Sequence, residues 1–249
     1  GIATGSVLGA AMVAIALAFG LTALIAPMRF EKVSRRVLIV PVLAVGLCYA
    51  LAGDGLLSRW DGALLLVGFA AALGYLVWAS GRGFDIEPTG EVAETLEEAE
   101  AMSRWKAVGW FLIALIAIIV GSELLVTGAE SIIERIDLSD TLFGMTILAL
   151  LVSIEELARE LPAALKGRPE ISYGNVVGSV LAFFLFNAGI IALVRPVPVS
   201  SQVLSFYFPV TLGTTVLVSV FMLMKRVPRW AGALLVLAYL VFAVGGYIG

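Results

Sequence analysis

Five residues whose types could carry chemistry share one apolar stretch, TLFGMTILALLVSIEELARELPAALKG: Ser153, Glu155, Glu156, Arg159 and Glu160. Charged side chains inside so hydrophobic a run are costly at bilayer depth and point to function by default. Glu156 lies ten residues before Lys166, which marks the end of the run. At about 1.5 Å of rise per helical residue that is about 15 Å, near the middle of a bilayer. Glu155 and Arg159 are spaced i,i+4, and Glu156 and Arg159 i,i+3, so one guanidinium could serve either carboxylate. Three acids against one base leave two carboxylates that must hold a cation, be protonated or find another partner. Hard cations take carboxylate, hydroxyl and carbonyl oxygen, which these residue types supply. The following stretch could complete a shell with Asn175, Ser179 and Asn187, and its Gly174 and Gly178 would let two helices approach closely. The competing expectation is a cluster that only braces helices together.

The elements that must position these residues are helices. The chain has 249 residues, 61% of them hydrophobic and 14% charged, with a mean hydropathy of +1.04, far from the composition of soluble domains. Apolar runs long enough to cross about 30 Å of hydrocarbon recur along its length, and only helices satisfy their own backbone groups in lipid when no closed barrel forms. Breaks of charge, proline and glycine predict eight transmembrane helices in an all-α polytopic membrane protein: Ser6 to Leu24, Val37 to Ala52, Gly62 to Ala79, Ala107 to Val126, Thr141 to Leu165, Asn175 to Val194, Val203 to Met224 and Trp230 to Tyr247. One cysteine, Cys48, and no histidine exclude a disulfide, a zinc site and histidine-based catalysis. An intramembrane enzyme is the weakest reading, since the Gly53-Asp54 pair falls at a helix end.

Basic residues sort by loop. Arg29, Lys32, Arg35, Arg36, Arg82, Arg104, Lys106, Lys166, Arg168, Lys225, Arg226 and Arg229 fall on one side of the predicted spans, against Arg59, Arg135 and Arg195 on the other. The excess places the first set in the cytoplasm. The longest polar stretch, Gly81 to Arg104, carries Asp85, Glu87, Glu91, Glu94, Glu97, Glu98 and Glu100. It reads as an acidic cytoplasmic linker (81–104), with a short amphipathic helix from Thr95 to Ser103, between a three-helix part (1–80) and a five-helix part (105–249). A regulatory cation site there is the alternative.

Sliding the chain by 169 residues pairs GIATGSVLGAAMVAIALAFGLTALIAP with EISYGNVVGSVLAFFLFNAGIIALVRP, with identities at Gly5/Gly174, Gly9/Gly178, Gly20/Gly189 and Pro27/Pro196 among others. The copies lie five spans apart and therefore cross the membrane in opposite directions, an inverted repeat. The second copy has two spans before it that the first lacks. The expectation is a ten-helix arrangement from which this chain, beginning at Gly1, misses the first two, to be supplied by an N-terminal segment or a second polypeptide.

The stretch Gly121 to Val194, with GSELLVTGA, the S-I-E-E-L turn of helix and G-N-V-V-G-S, resembles the second α-repeat of the cation/calcium exchanger superfamily, prokaryotic type. Gly1 to Pro27 is similar to the back half of the first. The resemblance implies a fold of two inverted five-helix halves in a prokaryotic membrane, carrying Na⁺ or H⁺ against Ca²⁺ or another cation. Its partners would be the lipid bilayer and small cations, with no nucleic acid and no cofactor beyond a bound Na⁺ or Ca²⁺. The family's Thr-Ser-Leu-Pro-Glu-Leu falls on Val152 to Leu157, which implies Glu156 as the cation-binding acid with Ser153 beside it. Arg159 and Glu160 then stand at small polar positions and read as internal counter-charges. Phe183 stands where the family carries Asp or Asn, and Ala10 and Ala14 occupy the matching positions of the first copy. These departures favour one or two carboxylates working with H⁺ or Na⁺ over a full calcium cage. They also support the alternative of a non-transporting accessory subunit with a degenerate ion site.

Overall fold

The computed structural model describes residues 2–30, 35–80, eleven separate positions between 105 and 128, and 149–248. The acidic linker, its expected amphipathic helix, the start of the predicted Thr141 helix and most of the predicted Ala107 helix lie outside the described residues. Two compact units are present: Gly1–Leu76 with Ser139–Gly249, and Val77–Leu138. In the second, the described positions from Trp105 onward are helical.

The first unit is built from α1 (Ile2–Met12), a wide π-helical turn (Val13–Ala18) and α2 (Phe19–Ile25), which run on as one rod. Then come β1 (Met28–Arg29), α3 (Arg35–Leu51), β2 (Leu56–Leu57) and α4 (Arg59–Ser80), whose residues from Val77 belong to the second unit. After the second unit follow α5 (Ala149–Leu165), α6 (Pro169–Leu181), a π-helical turn (Ala182–Asn187) and α7 (Ala188–Val194), again as one rod. The chain continues with β3 (Val197–Pro198), a third π-helical turn (Val203–Tyr207), α8 (Phe208–Leu223), β4 (Arg226–Val227) and α9 (Arg229–Ile248). Gly5–Ile25, Arg36–Asp54, Arg59–Ala79, Pro169–Val194 and Val203–Leu223 are each long and apolar enough to span a membrane.

Helix ends follow local chemistry. Ser58 and Asp61 cap the start of α4 reciprocally: Ser58 N donates to Asp61 Oδ2 at 2.8 Å, and Asp61 N to Ser58 Oγ at 3.3 Å, the geometry of a capping box. This moves the start of α4 to Arg59, three residues before the predicted Gly62. At the end of α5, Gly167 adopts φ +72°. Arg168 N then donates to Ala163 O and Gly167 N to Ala164 O, the pair of bonds that closes a Schellman turn. Pro169 follows at the first position of α6, where its missing N–H costs nothing. For that reason α6 begins six residues before the predicted Asn175. Pro41 inside α3 removes one helical bond, and nearby Leu38 O accepts from Ser219 Oγ of α8 at 3.1 Å.

The inverted repeat is visible in the backbone. The π-helical turns Val13–Ala18 and Ala182–Asn187 are separated by the same 169 residues as the sequence copies. β1 pairs antiparallel with β4 and β2 with β3. The repeat carries β1 onto β3 and β2 onto β4, so each ladder is the image of the other. Two helix crossings repeat in the same way. A Cβ on Gly232 would sit 2.6 Å from Gly20 O and 2.8 Å from Leu24 N, and one on Gly62 would sit 2.7 Å from Gly189 O and 2.6 Å from Leu193 N. Here helices touch backbone to backbone, which no larger residue permits. One apolar core, including Phe19, Phe184, Tyr207, Phe208 and Phe242, fills the unit between them.

Gly174 and Gly178 depart from expectation. A Cβ on either would meet nothing within 4 Å, so they line an open face of α6 rather than a close crossing.

Adding side chains separates these classes of glycine. Gly232→Val must push α9 off α2 and is expected to lower stability by about 1–3 kcal/mol. Gly46→Ala, in α3 with open space around it, is expected to raise it by up to about 1 kcal/mol. Thermal unfolding in detergent, followed by loss of the monodisperse peak, measures both.

Candidate cation site

The polar residues of α5 divide between two faces because one residue turns a helix by about 100°. Glu156 and Glu160, four apart, are buried at 4% and 0% exposure. Glu155 and Arg159, also four apart, lie on a different, exposed face, where Arg159 Nη2 reaches Glu155 Oε2 at 3.1 Å. Arg159 therefore answers Glu155 and not Glu156, and the expected internal counter-ion for the buried acid is a counter-ion for its exposed neighbour. Nor is Glu160 balanced by Arg159: its side chain turns the other way, toward α6.

The α5–α6 turn brings the buried acids against Asn175 and Ser179, one turn apart on α6. Asn175 Nδ2 donates to Glu156 Oε2 and to Glu160 Oε1, the latter at 3.1 Å. Ser179 Oγ donates to Glu156 Oε1 at 3.0 Å. Both oxygens of Glu156 are thus held, and one amide ties the two carboxyls together. Ser172 Oγ donates to the backbone carbonyl of Glu160 at 2.8 Å, fixing α5 against α6 just below the cluster. Glu160 Oε2 is buried and, among the described residues, has no hydrogen-bond partner.

The expected set is therefore only partly assembled. Glu156, Asn175 and Ser179 meet, while Glu155 faces away. Asn187 ends the π-helical turn and, among the described residues, makes no hydrogen bond to the cluster. Ser153 lies on α5, but its side chain is outside the described residues. Two members were not read as such from the sequence. The sequence reads Glu160 as a counter-charge, although its i,i+4 spacing from Glu156 is the signal for a shared face. Ser172 gave no signal, because its partner is a backbone carbonyl in another helix. On the first rod, which packs against α5, the positions matching Ser179 and Phe183 are the buried Ala10 and Ala14. Among the described residues no three acidic, histidine or cysteine side chains cluster as a metal cage. What remains is a compact set of two carboxyls and a hydroxyl, oxygen groups suited to a hard cation, held together by the N–H groups of one amide.

Fold and site together define an α-helical membrane protein of inverted-repeat architecture with a carboxylate site between two adjacent helices. A sequence profile of the sodium/calcium exchanger protein family matches residues 1–78 and 106–247, and the chain belongs to that family. It is 29% identical over 246 residues to the putative antiporter CaxA of Alkalimonas amylolytica, covering 96% of this chain and 76% of that one. It is also 31% identical to the inner membrane protein YrbG of Escherichia coli strain K12, over 78% of this chain and 61% of that one. Among solved structures, the sodium-calcium exchanger NCX_Mj soaked with Na⁺ and Sr²⁺ superimposes with a TM-score of 0.68 at 29% identity, over 97% of this chain and 75% of the other.

The shared amide makes a sharp stability prediction. Asn175→Leu strips a donor from both buried carboxyls and is expected to cost about 1–3 kcal/mol or more, whereas Asn187→Leu leaves the cluster intact and carries no such cost. Melting of the two variants in the same detergent tests the difference.

Proposed function

We propose that this protein is a secondary active cation antiporter in which Glu156 is the central ligand, exchanging Na⁺ or H⁺ for Ca²⁺ or another cation by alternating access. The observation that carries the reading is the geometry of Glu156. It is a carboxylate buried in the membrane-spanning core, held on both oxygens by neutral donors from a neighbouring helix, with no cationic side chain bonded to it among the described residues. Neutral donors orient such a group but leave its charge uncompensated, so a mobile cation must complete it. The names of its relatives, an antiporter and a sodium-calcium exchanger among them, fit this reading. So does the inverted repeat, since two opposed copies can exchange roles when a transporter opens first to one side and then to the other. Ser153, one turn before Glu156 on α5, is proposed as a further ligand, and the Gly81 to Arg104 linker is proposed to lie in the cytoplasm, a reading supported by the excess of basic residues in the loops on that side.

Symmetry also supports an additional helix on α6. Gly5 and Gly9 are buried on a rod that packs against α5, and their images Gly174 and Gly178 face open space. A helix equivalent to α5, from a preceding segment or a second polypeptide, would occupy that face and could add ligands opposite Glu156.

A second reading, an accessory subunit that keeps the fold without transport, is favoured by the apolar Ala10, Ala14 and Phe183. Reconstitution separates the two. Antiport predicts Ca²⁺ or Na⁺ flux into proteoliposomes driven by an opposing gradient, abolished in Glu156→Gln with the melting transition retained. Flux unchanged in that variant would sink Glu156 as the ligand, and a wild-type protein that moves no ion under any gradient would leave the accessory role.

A further inference from the structure

We propose that Glu160 is a second carboxylate ligand of the same site, making it a two-carboxylate pocket for a divalent cation. The inference rests on the antiport reading above and extends it to the class of ion bound.

Three observations lead to it. Glu160 is fully buried, yet Arg159, the charge nearest to it in sequence, is engaged with Glu155 on the exposed face. Its Oε1 is tied through Asn175 Nδ2 to Glu156, so the two carboxyls form one unit spanned by a single amide. Its Oε2 is buried without a partner, although buried polar oxygens in folded proteins nearly always have one. An oxygen left open in an otherwise satisfied cluster is what a site awaiting a ligand presents. The alternative, that Glu160 only braces α5 on α6, leaves that oxygen unexplained, because Ser172 and Asn175 already supply the bracing.

Charge then decides the ion. Two ionised carboxylates in a low-dielectric interior carry a charge of −2. A divalent cation cancels it fully, while a single Na⁺ leaves one negative charge buried and uncompensated. Carboxylates on successive turns of α5, with Ser179 Oγ on α6, offer oxygen from two helices, while the Asn175 Nδ2 group holds the two carboxyls together. That suits the adaptable coordination of Ca²⁺ better than the strict octahedron of Mg²⁺. Ser172, bonded to the Glu160 carbonyl, is a positioning residue that sets the depth at which Glu160 enters the pocket.

The test is equilibrium binding of Ca²⁺ and, separately, of Na⁺ to the purified full-length protein in detergent, comparing wild type, Glu156→Gln and Glu160→Gln. The glutamine at 160 keeps the volume and can still accept from Asn175, so the fold should persist. The expected result is a rise of roughly 100-fold or more in the Kd for Ca²⁺ with a much smaller change for Na⁺, a change in selectivity that a purely bracing role would not produce. Ca²⁺ affinity within about threefold of wild type in Glu160→Gln, alongside loss in Glu156→Gln, overturns the role of Glu160 while leaving the antiport reading in place. Absence of saturable binding of either ion to wild type overturns both. Labelling of the wild-type protein with a hydrophobic carbodiimide, read by mass spectrometry, gives an answer independent of variant folding. Saturating Ca²⁺ is expected to protect both glutamates, and protection of Glu156 alone refutes the proposal.

Discussion

A carboxylate cannot be buried among lipid-facing helices without something that answers its charge or its hydrogen-bonding needs, and the arrangement of α5 and α6 is organised by that constraint. The two acids on the inner face of α5 are met by an amide and a hydroxyl at matching spacing on α6. For these to meet, the helices must run side by side from a tight turn. Gly167 in the left-handed conformation and Pro169 at the next helix start provide the turn, and Ser172 sets the register. The outer pair, Glu155 and Arg159, needs no such support because each answers the other. A single helix thus carries a self-sufficient ion pair on one face and a dependent pair of acids on another, with only the helical twist to separate them.

The second constraint is the close approach of helices through glycine. Lipid offers no hydrophobic gain for bringing apolar helices together, so contact is favoured where backbones can come near enough for dense packing. Gly20 with Gly232 and Gly189 with Gly62 do this at two places related by the repeat, fastening α9 to the first rod and α4 to the second. The short ladders of β1 with β4 and β2 with β3 tie the loops at the corresponding ends. These fastenings hold the rods that flank α5.

Much of this could be read from the residues before any coordinates. Hydropathy located the described helices before and after the linker, because in a membrane the run length and the breaks are set by the hydrocarbon itself. The repeat was legible in a handful of glycines and one proline, residues whose backbone roles survive when the apolar positions between them drift. Helix starts shifted by three to six residues where capping overrode composition, as at Ser58 and Pro169. The π-helical turns left no trace in composition, since VAIALA and AFFLFN read as ordinary apolar helix. Partner choice within the charged helix was undetermined for a physical reason: both i,i+3 and i,i+4 lie within reach of an arginine, and the decision between Glu155 and Glu156 rests on which face the neighbouring helix covers.

The two copies share a backbone but not a chemistry. Where the second rod carries Asn175, Ser179 and Phe183, the first carries Ser6, Ala10 and Ala14, around a π-helical turn at the same place in each. Wide turns of this kind re-aim side chains and often sit near functional groups. Two like turns beneath unlike side chains argue that the turn serves the path of the rod itself, with the chemistry carried by the residues set upon it. The buried carboxyls find their described partners on α6, while the first rod carries Ala10 and Ala14 where the second carries Ser179 and Phe183. A site held this way gains its charge from one helix and its orientation from the next. Any movement that slides α6 along α5 by a single turn would move Asn175 away from one of the two carboxyls it joins. The shared amide therefore ties the electrostatics of the two buried carboxyls to the relative position of the two helices.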